Sequence, residues 1–459
     1  MKTYILILWQ KLNFNIKNSI IIFLIIILIF AFYYLNLKKD EINSLKDLKK
    51  GHEDKISELI EINKTENRKI FKFLSNLSDG YIEFNIKRKS TEIIKTKFNN
   101  SYLFESYRLP IPNKSLFDSK PLGYMEGYKD KIILITGDGN IFFFDSVINY
   151  QIKLLSLRSN IKNYSEFTSG SPVSIKDIMI LEDKLLVSYT KEVSNNCYNT
   201  SILEANINFK FLNFKEYFTY DECSNKTNHF PIKSGGRMSE YYNGKIIFSI
   251  GEYETYTNIA QDKNSLFGKI IEIDTNTKSH EILSVGHRNS LGLLFDLENE
   301  ILISTDNGPK GGDEINLDIK PNSNKYKNFG WPISSYGNHY DNQFRELSPL
   351  YDSHIKYGNV EPLKFFINGI GISQVVKLNK FFGAESGASY FVSSLGYDDS
   401  IKNGGRTIHH IKLSDDYKNI SFEEKIVIGE RIRDIIINDN VILMILENSA
   451  SLGILKKIN

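Results

Sequence analysis

The sequence carries almost no net charge: 57 lysines and arginines stand against 55 aspartates and glutamates over 459 residues, +2 with histidine neutral. Such a balance supplies no field of one sign to hold a nucleic-acid backbone or a strongly charged surface, so no nucleic-acid partner is expected. Cysteine is nearly absent. Cys197 and Cys223 are the only two, and they flank the alternating segment 201–220, which reads as a two-stranded hairpin with its ends brought together. A disulfide between them is geometrically plausible; two unrelated thiols are the alternative. Charge is missing altogether from 19–35, SIIIFLIIILIFAFYYL, a stretch that roughly spans a hydrocarbon layer as a helix. A cleavage site of small residues is missing after it, since Asn36, Leu37, Lys38 and Lys39 follow. The reading is therefore an uncleaved single-pass anchor over 19–37, with 1–18 as a short cytoplasmic tail. Lysines on both sides, Lys2, Lys11 and Lys17 before the run and Lys38, Lys39, Lys46, Lys49 and Lys50 after it, signal the orientation poorly.

What is abundant points to β structure. Aromatics make up 13% of the chain, and aromatic and β-branched side chains suit pleated, half-buried surfaces. Before the β-rich part, residues 38–78 are rich in lysine and glutamate, with Ile42/Leu45, Ile56/Leu59 and Ile70/Phe73 at a and d of a heptad register that Lys49/His52 and Asn63/Glu66 interrupt. A helical stalk is expected there, and both a solvated linker and oligomerisation through the stalk stay open. Residues 79–114 complete this connector without an assignment.

From about 115 onward short strands alternate with Gly, Asn and Asp turns, and the sequence repeats itself. IKDIMILEDKLLVSYT (175–190) aligns without a gap on IRDIIINDNVILMILE (432–447), and GGRMSEYYNGKIIFSIG fits the same frame with Arg237 opposite Lys176. Looser copies begin near Tyr124, Arg288 and Ile372, giving six units. A four-stranded propeller blade needs ~40 to 45 residues, which these intervals accommodate with insertions. The fold expected over 115–459 is an all-β, six-bladed β-propeller. Equivalent ends of all blades meet at one mouth of such a ring, so Lys176, Arg237, Arg288 and Arg433 are expected to converge. Like charges packed together need an anion or internal carboxylates; Asp177 and Asp434, each following its cation, are candidates for the internal solution.

The segments GGRMSEYYNGKIIFSIGE, AQDKNSLFGKIIEID, GHRNSLGLLFD, DNGPKGGDEINL, NFGWP and RIRD occur in the order and approximate spacing of the glucose/sorbosone dehydrogenase propellers, and the chain resembles that family over about 234–459. The resemblance implies pyrroloquinoline quinone at the channel mouth, a calcium ion clamped between quinone and protein, and oxidation of a sugar (aldose) or a related alcohol or aldehyde, with electrons leaving toward the respiratory chain. It also implies work outside the cytoplasmic membrane, hence a propeller in the periplasm carried on the inner-membrane anchor. Carried over by position, Arg288 and Asn289 would hold the quinone and its carboxylates, with Asn307 where relatives have a glutamine. Arg431 and Arg433 would approach from the last blade. Gly308 and Pro309 match the positions whose carbonyls face calcium, and Asp313 and Glu314 match an acidic pair near that loop. Relatives place a histidine four residues before Arg237 to take the proton of the sugar hydroxyl as hydride passes to the quinone. Here that position is Lys233, and His229 is the other candidate. A lysine needs desolvation or cationic neighbours to serve as a base. Further departures are Leu291 for a glutamine, Gly396 for a lysine and Phe329 for a tyrosine. The alternative function is a propeller without catalysis that binds a ligand or protein. A lactonase-like hydrolase would need a ring of acidic and asparagine ligands that the repeat positions lack.

Overall fold

Why the units recur is visible first in their turns. Lys129, Glu182, Asn243, Glu300 and Asp439 all adopt a left-handed backbone, with φ between 49° and 57°. Each sits in the hairpin between the first two strands of its unit, where a tight connection must follow the right-handed twist of the strands. The computed structural model describes residues 82–458 apart from 111–122, 149–150, 165–174, 226–232, 255–257, 341–348, 383–387 and 397. The expected anchor over 19–37, the stalk over 38–78 and His229 lie outside the described residues. Among the described residues no helix is long and apolar enough to cross a membrane.

Six first strands, Gly123–Tyr128, Ile175–Leu181, Gly235–Tyr241, Ser290–Asp296, Ile372–Lys377 and Ile432–Asn438, line the centre. Each packs on the next, and the sixth packs on the first, so the ring closes. Each opens an antiparallel set of four strands, called blades 1 to 6 below, to which Lys327–Asn328 adds a fifth, parallel strand in blade 3. The fold is all-β and propeller-like. A single blade has two apolar faces that it cannot bury alone. The hydrophobic clusters accordingly lie between neighbours: Ile133, Phe143, Ile178, Val187 and Leu203 join blades 1 and 2, and Ile411, Val392, Ile303 and Ile315 join blades 5 and 4.

The connector was expected to run to 114, outside the ring. It contributes two strands to the ring instead. Ser101–Arg108 is the outermost strand of blade 6, paired antiparallel with Ser451–Lys457 from Tyr102↔Lys457 to Arg108↔Ser451. Glu83–Lys95 pairs with Ser101–Arg108 through one part of its length and with Gln151–Ser159 of blade 1 through the other, with a bulge between Arg88 and Ser90. The sheets of blades 6 and 1 are thus continuous. In blade 2, Cys197–Asn206 pairs antiparallel with Lys215–Phe218. A disulfide joins Cys197 to Cys223 across this hairpin, with Cα atoms 5.3 Å apart.

Candidate functional site at the ring mouth

The first strands of blades 2 to 6 carry bulges, and these decide which side chains meet. Between Ile175 and Asp177 the register slips by one residue, as it does between Ser290 and Gly292 and between Ile432 and Asp434. The extra residues are Lys176, Leu291 and Arg433. Arg288 therefore precedes the position it was expected to share with Lys176 and Arg433. In blade 3, Arg237 donates its backbone N–H to Ser249 Oγ, at the level of Asp177 opposite Ser188.

This places Arg237 between two carboxylates from other blades. Its Nη1 lies 2.7 Å from Asp177 Oδ1 and 2.8 Å from Asp434 Oδ1, all three side chains buried. Its Nε donates to Leu291 O and its Nη2 to Arg433 O, while the guanidinium lies 4.9 Å from the Tyr124 ring centre. The other oxygen of each carboxylate accepts a backbone N–H, from Met238 for Asp177 and from Met125 for Asp434. Arg237 is thus neutralised inside the protein. Arg431 and Arg433 share one internal carboxylate, Glu447, at 2.7 and 2.5 Å. Burial alone would raise the Glu447 carboxyl, but the two guanidinium groups hold it below the usual range. Lys176 is buried, and burial with the nearby charge of Arg433 lowers it to about 7. Lys176, Arg237 and Arg433 do meet, without Arg288, and carboxylates of the chain meet most of their charge. Glu447 went unread in the sequence; its only signal is one acid ending the apolar run VILMILE, where the repeat has Thr190.

Arg288 differs. It is 3% exposed, and its Nη1 donates to the carbonyls of Asn307 and Gly308, both at 2.8 Å. Its Nε and Nη2 are buried without a hydrogen-bond partner among the described residues, as is Nε1 of Trp331, whose ring centre lies 5.2 Å from the guanidinium. A buried donor without an acceptor costs about 1–3 kcal/mol. These donors border a pocket lined by Arg288, Asn307, Gly308, Glu314, Trp331 and Ser334. Trp331, from the NFGWP segment, was not read as a site residue.

Lys233 stands beside this pocket in a left-handed turn, φ 55°, facing Tyr253 and Glu254 at 58° and 53°. Such conformations are costly for residues with a side chain and persist where the surroundings impose them. The imposing contacts are the Tyr253 N–H donating to Lys233 O and Gly251, where a Cβ would come within 1.9 Å of that oxygen. Lys233 Nζ lies 2.7 Å from Glu254 Oε1. Burial and then the charge of Arg288 push the ammonium below its usual range, with Glu254 acting the other way.

The remaining expected site residues are engaged in structure. Asn289 Oδ1 accepts the Gly235 N–H, tying blade 4 to blade 3. Asp313 accepts the N–H groups of Gly308, Ile370 and Ile372. Glu314 accepts from Asn316 and lies 3.2 Å from His354 Nε2. The Gly308 carbonyl holds Arg288, and Pro309 O accepts from the Tyr340 hydroxyl at 2.9 Å. Calcium wants six to eight oxygens free of positive neighbours. The four positions assigned to it instead offer one carbonyl bonded to a guanidinium, one bonded to a phenol and two carboxylates engaged by the chain. No group of three or more His, Cys, Asp or Glu side chains suited to a metal occurs among the described residues.

Residues 175–456 match the family model Glucose / Sorbosone dehydrogenase, and the chain belongs to that family. By fold and family it is thus a glucose/sorbosone-dehydrogenase-like propeller protein. An aldose sugar dehydrogenase of Escherichia coli is 26% identical over 260 residues, 54% of this chain and 64% of that one. An uncharacterised protein of Synechocystis is 30% identical over 189 residues, 38% of this chain and 42% of the other. The chain thus covers less than two thirds of the length of either relative. Among solved structures, the apo form of a soluble aldose sugar dehydrogenase from Escherichia coli superposes with a TM-score of 0.57 at 18% identity, over 80% of this chain and 99% of the other. A glucose dehydrogenase superposes with a TM-score of 0.56 at 17% identity, over 74% and 96%. These superpositions speak for the fold.

Proposed function

We propose that this chain is a divergent sugar dehydrogenase that oxidises a C–H/O–H carbon of an aldose, or of a related alcohol or aldehyde, with pyrroloquinoline quinone held at the ring mouth. The observation that carries this reading is Arg288. Its Nε and Nη2 are buried beside the pocket and lack an acceptor among the described residues, and a carboxylate of an acidic cofactor supplies one with the planar geometry a guanidinium matches. When bound, the quinone would supply the oxidising power. The protein does the rest. Arg288 would orient the cofactor against Trp331, and Lys233 would take the proton of the sugar hydroxyl. Burial and Arg288 favour the neutral amine that this requires, and Glu254 holds the amine in place. Calcium has no part in this reading, because the positions assigned to it are already engaged.

The test is to titrate purified protein with pyrroloquinoline quinone, with and without chelator, and then to follow aldose-dependent dye reduction. Saturable quinone binding that resists chelation, followed by dye reduction, is the expected result. Arg288→Ala should weaken quinone binding roughly tenfold to a hundredfold, the worth of a partly buried charged hydrogen bond. No quinone binding would leave the second reading, a binding propeller, which the engagement of both Arg431 and Arg433 by Glu447 favours. The same proposal puts the ring in the periplasm on an inner-membrane anchor, supported by the uncharged run at 19–35 and by a disulfide that suits an oxidising compartment. A periplasm-dependent reporter fused after Asn459 that stays inactive would overturn that placement.

A further inference from the structure

The described residues of the connection between the last two strands of blade 4, Asp313–Ile319 and Lys364–Phe366, with Phe365 and Ile367 at its far end, carry an unusual surface. Tyr340, Tyr351, Ile355, Tyr357, Phe365 and Ile367 are all exposed, Ile355 by 72% and Tyr340 by 66%. Solvent-facing apolar side chains scattered singly are ordinary, whereas a contiguous set marks a binding surface. Here the rings are set in order. Tyr336 stacks on Phe365 at 3.7 Å and 7° and on His354 at 5.4 Å. Tyr351 stacks on Tyr357 at 4.4 Å and 14°. Glu361 fixes the arrangement by accepting the Tyr336 hydroxyl at 2.8 Å and the Ile355 N–H at 3.0 Å.

The surface is continuous with the pocket. Tyr340 donates to Pro309 O, Pro309 follows the glycine that holds Arg288, and Trp331 and Ser334 of the same connection line the pocket itself. Resting on the reading given above, we propose that this connection is a platform for an oligosaccharide, whose terminal sugar reaches the pocket while the following units lie on the aromatic rings. A pyranose has a flat C–H face and a hydroxyl-bearing edge. Stacked rings meet the first, and tyrosine hydroxyls with the Glu361 carboxylate meet the second. A flat ordered surface of this kind costs little entropy on binding.

The experiment is calorimetry on the full chain with glucose, maltotetraose and cellotetraose. At least one tetrasaccharide should bind ten times more tightly than glucose or better. That gain should vanish in Tyr351→Ala/Tyr357→Ala and in Ile355→Asp, which alters an exposed side chain and so spares the fold. It should persist in Tyr351→Phe/Tyr357→Phe and in Phe381→Ala, an exposed ring on blade 5. Equal affinity for glucose and both tetrasaccharides, no saccharide binding, or an undiminished gain in the alanine and aspartate variants would overturn the platform. So would a dimer in sedimentation that Ile355→Asp dissolves, because the surface would then be a self-interface. Tyrosine-dependent tetrasaccharide binding without any oxidation would keep the platform and remove the dehydrogenase reading. Glucose oxidation without a chain-length gain would do the reverse.

Discussion

At the scale of single residues, the same chemical group has two fates at the ring mouth, and partners decide between them. Arg237 and Arg288 are both buried arginines, yet the first meets two carboxylates and the second is left with unpartnered donors. Removing one member of a buried ion cluster strands the others and typically costs about 3–5 kcal/mol. Arg237→Met should therefore lower the denaturant midpoint markedly, whereas Arg288→Ala should change quinone affinity more than stability. Lys233 gives a pH prediction. A lysine accepts a proton only when neutral, so sugar oxidation should rise with pH. Glu254→Gln should move that rise to lower pH, because the lost carboxylate no longer favours the ammonium. Rates that fall with pH, or that do not respond to Glu254→Gln, would remove Lys233 as base.

A second pH effect belongs to stability. Glu423 is held down to about 2, first by His409 and then, against burial, by Lys364. The folded pKa lies below the ordinary 4.5, so the folded state binds the proton less tightly than the unfolded one. The stabilisation is complete above pH 4.5 and is lost as the pH falls toward 2. Its size is on the order of 1–3 kcal/mol, reduced from the full shift by partial exposure. Melting curves between pH 6 and 3 should show this loss in the wild type and a shallower one in Glu423→Gln.

At the scale of elements, the sequence carried the phase of the ring but not its outer edge. All six predicted starts fall in or within two residues of a central strand, because apolar residues recur in phase there and in the second strand, and five of the six repeats share a left-handed turn between the two. Bulges could not be seen, and a one-residue slip placed Arg237 between Asp177 and Asp434; Arg288 stands three residues before Leu291, the match of Lys176 and Arg433, because its looser copy was aligned out of phase. Glu83–Lys95 was illegible for a different reason. Its burial pattern is mostly exposed, so an edge strand of this kind shows neither a core face nor a helical period. The adjoining Ser101–Arg108 is buried, but eight residues between lysine-rich stretches gave no repeat to align. Tyr107→Pro tests the assignment, since Tyr107 pairs with both Arg88 and Leu452 and proline removes a ladder N–H. The expected result is a loss of at least about 3 kcal/mol in chemical denaturation. A neutral outcome would mean that this strand does not hold blade 6.

At the scale of the whole molecule, the seam lies between the two ends of the described chain. The last blade borrows its outermost strand from the first described segment, and the strand before it grips blade 1 as well. A ribosome delivers these pieces in the worst order. The segment 83–108 is made before every other described strand, with its backbone groups exposed, and its partner Ser451–Lys457 after all of them. Closure of the ring therefore waits for the last blade, however early the middle blades collapse. During that wait the segment is an open β edge, the kind that recruits other chains, so in the cell the yield of this protein should depend more on whatever shields its first strands than on the stability of the finished ring.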